Sequence, residues 1–265
     1  MQKPVNNHKT VLSFPQAENP VWIPVPKRIR VFLSSRLIAD STSAMLLRGR
    51  PPVYYFPRED VKMDFLKKSN HNNQSEKYGK ARHWHVEADE KIAVNAAWSY
   101  EKPPEEMAGD IAAYIAFKWS EMGTWMEEEE VVRVHPRDPY SRIDVIRSSR
   151  KVKIEYEGLE LAETRCPVVL FETGLPARYY IRRMDVNTAL LKASDHQTEC
   201  PYKGVASHFS LEDDEWKLEN IAWTYAYPNQ EVAPIKDLIC FYAEKLEDFF
   251  VDGKRLPKAN TPWSE

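Results

Sequence analysis

The sequence predicts a mainly β protein made of two tandem copies of one domain, and three observations carry that reading. The two halves of the 265-residue chain align with each other at an offset of 123 to 125 residues. Within each half, apolar and polar residues alternate with the period of strands, as in Val152-Lys153-Ile154-Glu155-Tyr156. Turn signals such as Glu157-Gly158, Thr173-Gly174-Leu175-Pro176 and Asp252-Gly253 close runs of strand length.

The elements follow in chain order. Residues 1–27 contain Pro4, Pro15, Pro20, Pro24 and Pro26, which suits an extended arm. The first copy is placed at 28–132, a connector at 133–149, the second copy at 150–255 and a short tail at 256–265. Arg28-Ile29-Arg30-Val31 lies over Lys151-Val152-Lys153-Ile154, and Tyr54-Tyr55, Arg58 and Asp60-Val61 lie over Tyr179-Tyr180, Arg183 and Asp185-Val186 after a two-residue adjustment. Further on, His83 meets His208, Asp89-Glu90 meets Asp214-Glu215, Trp98 meets Trp223, Tyr100 meets Tyr225 and Phe117 meets Phe241. Inside the second copy, Val152 to Tyr156 and Leu159 to Ala162 read as a hairpin, and Val168 to Phe171 with Arg178 to Ile181 as another strand pair. Asp185 to Lys192 carries Val186, Ala189 and Leu190 at helical spacing behind an Asp cap. One short helix is therefore expected there, and its counterpart at Asp60 to Lys67. Ala206 to Leu211, Leu218 to Tyr225, Leu238 to Tyr242 and Asp248 to Val251 complete seven or eight strands per copy. In the connector, Pro136 and Pro139 stiffen the chain.

Composition narrows the function classes. Hydrophobic residues make up 43% and charged residues 29%, a globular balance. No apolar run approaches the ~20 residues that span a bilayer, so no membrane partner is expected. A net charge of −3 with interspersed signs gives no field for nucleic acid. Cys166, Cys200 and Cys240 cannot all pair and share no metal-finger spacing. With a polar start from Met1 to Thr10, they read as free thiols of a cytoplasmic protein. No metal and no cofactor is expected, and the oligomeric state is not legible.

Several motifs in fixed order carry a family resemblance. They are Arg150-Lys151-Val152-Lys153, Leu161-Ala162-Glu163-Thr164, Leu170-Phe171-Glu172-Thr173-Gly174-Leu175-Pro176 with Arg178-Tyr179-Tyr180, Cys200-Pro201-Tyr202-Lys203-Gly204-Val205-Ala206, and Phe249-Phe250-Val251-Asp252-Gly253. Together they resemble the domain of unknown function 427 family in its tandem form, over essentially residues 28–255. The resemblance implies two β-tent-like domains, similar in architecture to the thalidomide-binding domain of cereblon and to methionine sulfoxide reductase B. Many β-tent relatives bind structural zinc through paired C-x2-C motifs, which this sequence lacks. The family also carries the label nucleotidyltransferase. The Gly-Ser followed by paired carboxylates that would hold magnesium and a nucleotide phosphate is absent, so that activity ranks below the two readings that follow.

Candidate chemistry concentrates in the second copy. In the first, residues 48–52 replace Glu172-Thr173-Gly174-Leu175-Pro176, and a segment around Lys77-Tyr78-Gly79 replaces Cys200-Pro201-Tyr202-Lys203-Gly204. Glu172, between an apolar strand and a Gly-Pro turn, is a candidate general acid or base, or else the partner of a salt bridge to Arg178. Arg178 and Lys203 could hold a carboxylate or phosphate, or pair on the surface. Cys200, with Lys203 nearby, is a candidate nucleophile or a buried inert thiol. His208 is a candidate base or a structural histidine. His135 and Arg137 could reach a cleft between the copies or serve only the hinge. Tyr180, Trp223 and Tyr225 either line an aromatic pocket or pack the core. The expected function is handling of a small-molecule ligand or substrate: an enzyme using acid–base or thiol chemistry without metal, or alternatively a module that binds a small ligand or peptide without changing it.

Overall fold

The computed structural model describes residues 22–49, 51–75, 78–103, 111–212, 217–258 and 261. Most of the expected arm lies outside them, as do Arg50, Lys77 and Asp214-Glu215 of the repeat alignment. The described residues fall into two compact units that meet in sequence at Asp138 and Pro139. Among the described residues, no helix is long and apolar enough to cross a membrane.

The first unit contains strands β1 (Trp22–Pro24), β2 (Ile29–Leu33), β3 (Arg36–Ser41), β4 (Met45–Leu47), β5 (Val53–Pro57), β6 (Leu66–Ser75), β7 (Gly79–Ala88), β8 (Lys91–Tyr100), β9 (Tyr114–Phe117), β10 (Thr124–Glu127) and β11 (Glu130–Val132). They form a seven-stranded antiparallel sheet in the order β1-β4-β5-β9-β8-β7-β6 and a four-stranded one in the order β11-β10-β2-β3. The second unit repeats the plan with β12 (Ile143–Arg147), β13 (Val152–Tyr156), β14 (Leu159–Thr164), β15 (Val168–Glu172), β16 (Arg178–Ile181), β17 (Leu191–Cys200), β18 (Gly204–Glu212), β19 (Lys217–Thr224), β20 (Ile239–Phe241), β21 (Asp248–Val251) and β22 (Lys254–Arg255). Its sheets run β12-β15-β16-β20-β19-β18-β17 and β14-β13-β21-β22. The architecture is the expected mainly β, β-tent-like one, twice over.

Alternation decides which face each strand buries. In β13, Val152 and Ile154 are buried and Lys153 half-exposed, so the apolar residues meet those of the large sheet in a core that includes Leu161, Tyr179, Ile181, Ile221, Phe241 and Phe249. The opposite face of the same large sheet carries a second, smaller cluster of Leu170, Tyr180, Ala206, Trp223, Tyr225 and Cys240. Val232 and Ile235, from the 3₁₀ segment Gln230–Ile235, pack into that cluster. Two tight hairpins fall where the turn residues place them: Glu157-Gly158 and Asp252-Gly253 all have positive φ, the backbone a two-residue type I′ turn requires.

The structure corrects the expected short helices. Asp185 to Lys192 holds two single 3₁₀ turns, Arg183–Asp185 and Thr188–Leu190, and Leu191 already begins β17. Asp60 to Lys67 behaves the same way, with turns at Arg58–Asp60 and Met63–Phe65. The backbone between the turns is claimed by a neighbouring strand. Val186 bridges Ala162, and the Asn187 N–H donates to the Leu161 carbonyl at 2.8 Å. In the first unit Val61 bridges Ala39, and the Lys62 N–H donates to the Ile38 carbonyl at 2.9 Å. Asp185 caps no helix; its carboxylate accepts from Thr164 Oγ1 at 2.7 Å and from Arg182.

Candidate functional site

One face of the second unit's large sheet gathers most of the predicted residues. Register explains how: Val168 pairs with Tyr180, Tyr180 with Cys240, Cys240 with Trp223 and Trp223 with His208, a row crossing five strands. Residues two positions along each strand share that face, which adds Leu170, Arg178 and Tyr242.

Two charged pairs border the aromatic row. Glu172 ends β15 and starts a turn in which the Leu175 N–H returns to the Glu172 carbonyl at 3.0 Å. Gly174 supplies that turn's positive φ of 86°. Lys203 sits in the turn between β17 and β18, whose Gly204 has a φ of 99° and no room for a Cβ, since one would lie 3.1 Å from the Tyr227 carbonyl. Asn229 clamps this turn, donating its Nδ2 to the Pro201 carbonyl at 3.0 Å and its backbone N–H to the Lys203 carbonyl at 3.1 Å. So held, the Lys203 ammonium donates directly to the Glu172 carboxylate, with side chains only 13% and 9% exposed.

Arg178 takes a different carboxylate from the one expected. Its guanidinium donates two hydrogen bonds, at 2.7 and 2.6 Å, to Glu244, whose side chain is wholly buried. The same guanidinium lies 5.5 Å from the centre of the Trp223 ring and 5.8 Å from that of Tyr242. Burial opposes both charges, but the paired hydrogen bonds and opposite charge prevail, lowering the Glu244 pKa and raising that of Arg178. Thr261 Oγ1 adds a donor to Glu244 at 3.0 Å.

The remaining candidates sort by burial. Trp223 donates Nε1–H to the Tyr180 hydroxyl at 3.2 Å. Burial raises the Tyr180 and Tyr225 pKa values, and the charges of Cys200, Cys240, Tyr242 and Glu172 push Tyr225 further in the same direction. Cys200 is half-buried at the end of β17. His208 is 2% exposed, its Nε2 2.9 Å from Thr198 Oγ1, and burial with the neighbouring His196 and Lys245 lowers its pKa to about 4. It is therefore neutral at pH 7. His135 and Arg137 belong to the first unit, where His135 Nδ1 lies 2.8 Å from the Pro136 carbonyl and Arg137 is exposed.

Three members of this face were not among the predicted residues: Glu244, Tyr242 and Cys240. Burial pushes the Cys240 thiol up to about 12, with Arg178 pulling partly against it. Glu244 lies 66 residues from Arg178, and no spacing rule links them. The first unit keeps only the aromatic part of this face. Trp98 donates to the Tyr55 hydroxyl at 3.2 Å, as Trp223 does to Tyr180. Counted by sheet register, Val53 stands where the second unit has Arg178, Ala116 where it has Cys240 and Ser75 where it has Cys200. Its loop after Leu47 spans residues 48–52 against 171–177, which accounts for the two-residue adjustment in the alignment.

A family model described as a domain of unknown function, DUF427, matches residues 22–128 and again 144–252. The chain belongs to the DUF427 family. Both DUF427 matches reach back to the first strand of their unit's large sheet, β1 in one and β12 in the other. The polar residues of the site lie in the second DUF427 repeat. A search of curated proteins finds no match.

Proposed function

We propose that the second DUF427 repeat handles a small molecule at the Glu172–Lys203 end of its large sheet and that the chemistry there is proton transfer. The observation that supports this most is the direct Glu172–Lys203 contact, with Lys203 three residues after the half-buried Cys200, at positions where, among the described residues, the first repeat shows no such pair. A carboxylate and an ammonium held together away from water are a base and an electrophile in one place: Glu172 takes a proton from the bound molecule, and Lys203 faces the negative charge that develops. The neutral, hydrogen-bonded His208 supports the ring packing. Three free thiols fit a reducing compartment such as the cytoplasm.

A library of small carboxylates, phenols and amides, screened by thermal shift against the full chain, tests the reading. Ligands that stabilise the protein should be consumed, and Glu172→Gln should lower turnover at least ~100-fold while keeping affinity. Ligands insensitive to both Glu172→Gln and Lys203→Met would place binding elsewhere. The second reading, binding without turnover, is favoured by the internal pairing of the charges, Glu172 to Lys203 and Arg178 to Glu244. It predicts stabilisation without consumption. Nucleotidyl transfer ranks third and requires a magnesium-dependent thermal shift with a nucleoside triphosphate.

A further inference from the structure

Each repeat carries a pair of imidazoles that the candidate site does not use. His71 on β6 faces His83 on β7 with ring centroids 4.6 Å apart, and His196 on β17 faces His208 on β18 at 4.7 Å. The surroundings are duplicated too. In both hairpins the outer histidine lies inside a register shift of the ladder, between Lys68 and Asn72 and between Ala193 and Gln197. A serine pins the bulge: the His71 N–H donates to Ser69 Oγ at 3.0 Å and the His196 N–H to Ser194 Oγ at 3.1 Å. Such a bulge re-aims the side chains it carries.

The inner histidines are buried with nitrogens left over. His83 is 9% exposed, and neither of its ring nitrogens makes a well-formed hydrogen bond among the described residues, although the Asn95 backbone is close enough to act on the ring. His208 Nδ1 is likewise buried without a partner. Leaving a buried polar nitrogen unpaired is unfavourable, and this chain does so at corresponding places twice. In the second repeat the other nitrogen has a partner, Nε2 lying 2.9 Å from Thr198 Oγ1, and in the tautomer that carries its proton on Nε2 the Nδ1 lone pair is free. That is the arrangement of a metal-ligating imidazole, whose far nitrogen donates to an oxygen that fixes its tautomer.

We propose that each repeat binds one divalent transition-metal ion between its histidine pair, His71 with His83 and His196 with His208, the outer histidines being exposed and the remaining positions open to water or a ligand atom. Two imidazoles sharing an ion at metal–nitrogen distances of ~2 Å have centroids roughly 4.5–5 Å apart, and the lower end of that range corresponds to a near-right-angle pair of bonds. Both separations lie within reach of one shared ion, and a pair of imidazoles suits copper(II), nickel(II) or zinc. No third His, Cys, Asp or Glu joins either pair among the described residues, so the affinity expected is that of a two-ligand site.

The test uses the full chain, stripped with chelator and titrated with copper(II) chloride by calorimetry and electron paramagnetic resonance. Wild type should take up two ions with nitrogen hyperfine structure. His71→Ala and His196→Ala, at exposed positions where folding is preserved, should each remove one ion, and the double variant both. Thr198→Val should weaken only the second-repeat site, by ~10-fold, because it removes the oxygen that orients His208. Copper uptake unchanged in the double variant, or no saturable uptake by wild type, overturns the proposal.

Discussion

At the scale of single residues, burial separates groups that composition treats alike. The three cysteines have one chemistry and three environments: Cys166 exposed, Cys200 half-buried, Cys240 fully buried with its pKa near 12. Only the thiolate reacts. A chromogenic disulfide titrated into the native protein should therefore modify Cys166 at once and Cys200 more slowly, and should reach Cys240 only after denaturant is added. Rapid labelling of Cys240 in the native state would contradict the burial. Glu244 makes a similar contrast with the surface carboxylates. Its pKa is lowered in the folded state, so the unfolded chain binds its proton first as pH falls. The stability it provides is present above its unfolded value of ~4.5 and is lost as pH drops through the folded value. Acid-unfolding curves should accordingly be flatter below pH ~4.5 in Glu244→Gln than in wild type, from a lower starting stability.

Elements show how much of the fold could be read from sequence. Strands with one buried face were legible because alternation is the direct consequence of a two-residue period, as β13 and β18 illustrate. The long strands β6 and β17 were not. Leu66-Lys67-Lys68-Ser69-Asn70-His71 and its successors lie at the sheet edge with nearly every side chain exposed, so no apolar pattern marks them. Strands β1 and β12 fell inside the segments read as arm and connector, because β1 has only three residues and β12, unlike β13, has no alternating buried face. The helical spacing at Asp185 to Lys192 was real but was overridden by the bridge from Val186 to Ala162. For the site, the Gly174 and Gly204 turns marked the places where Glu172 and Lys203 come together, while the Arg178–Glu244 pair, which joins β16 to the chain after β20, left no local trace. The outer histidines, His71 and His196, were not among the residues read from the sequence; their spacing of 125 residues, the same offset as His83 and His208, is the signal that could have found them.

The Arg178–Glu244 pair also makes an element-scale prediction. Breaking a buried pair from one side strands a charge and costs about 3–5 kcal/mol, whereas replacing both partners with apolar groups is far cheaper. Arg178→Met and Glu244→Leu should each lower the unfolding midpoint sharply, and the double variant should recover much of the loss. Simple additivity in that cycle would mean the two side chains do not act as a pair.

For the whole molecule, duplication gives each repeat its own core and its own copy of the Tyr–Trp hydrogen bond, while among the described residues the buried Arg178–Glu244 charges belong to the second repeat. A repeat with its own core has what a domain needs to fold by itself. Residues 139–265, expressed alone, should give a cooperative unfolding transition, and Arg178→Met should shift it by the same amount as it shifts one phase of the intact chain. In the intact chain, the phase belonging to the first repeat should stay where it was. Tryptophan fluorescence can assign the phases by comparison of the intact chain with residues 139–265, since five of the eight tryptophans (Trp22, Trp84, Trp98, Trp119 and Trp125) precede that segment and three (Trp216, Trp223 and Trp263) lie in it. If Arg178→Met moved both phases equally, the two copies would have to unfold as one unit, and the polar site would then depend on the first repeat for its stability.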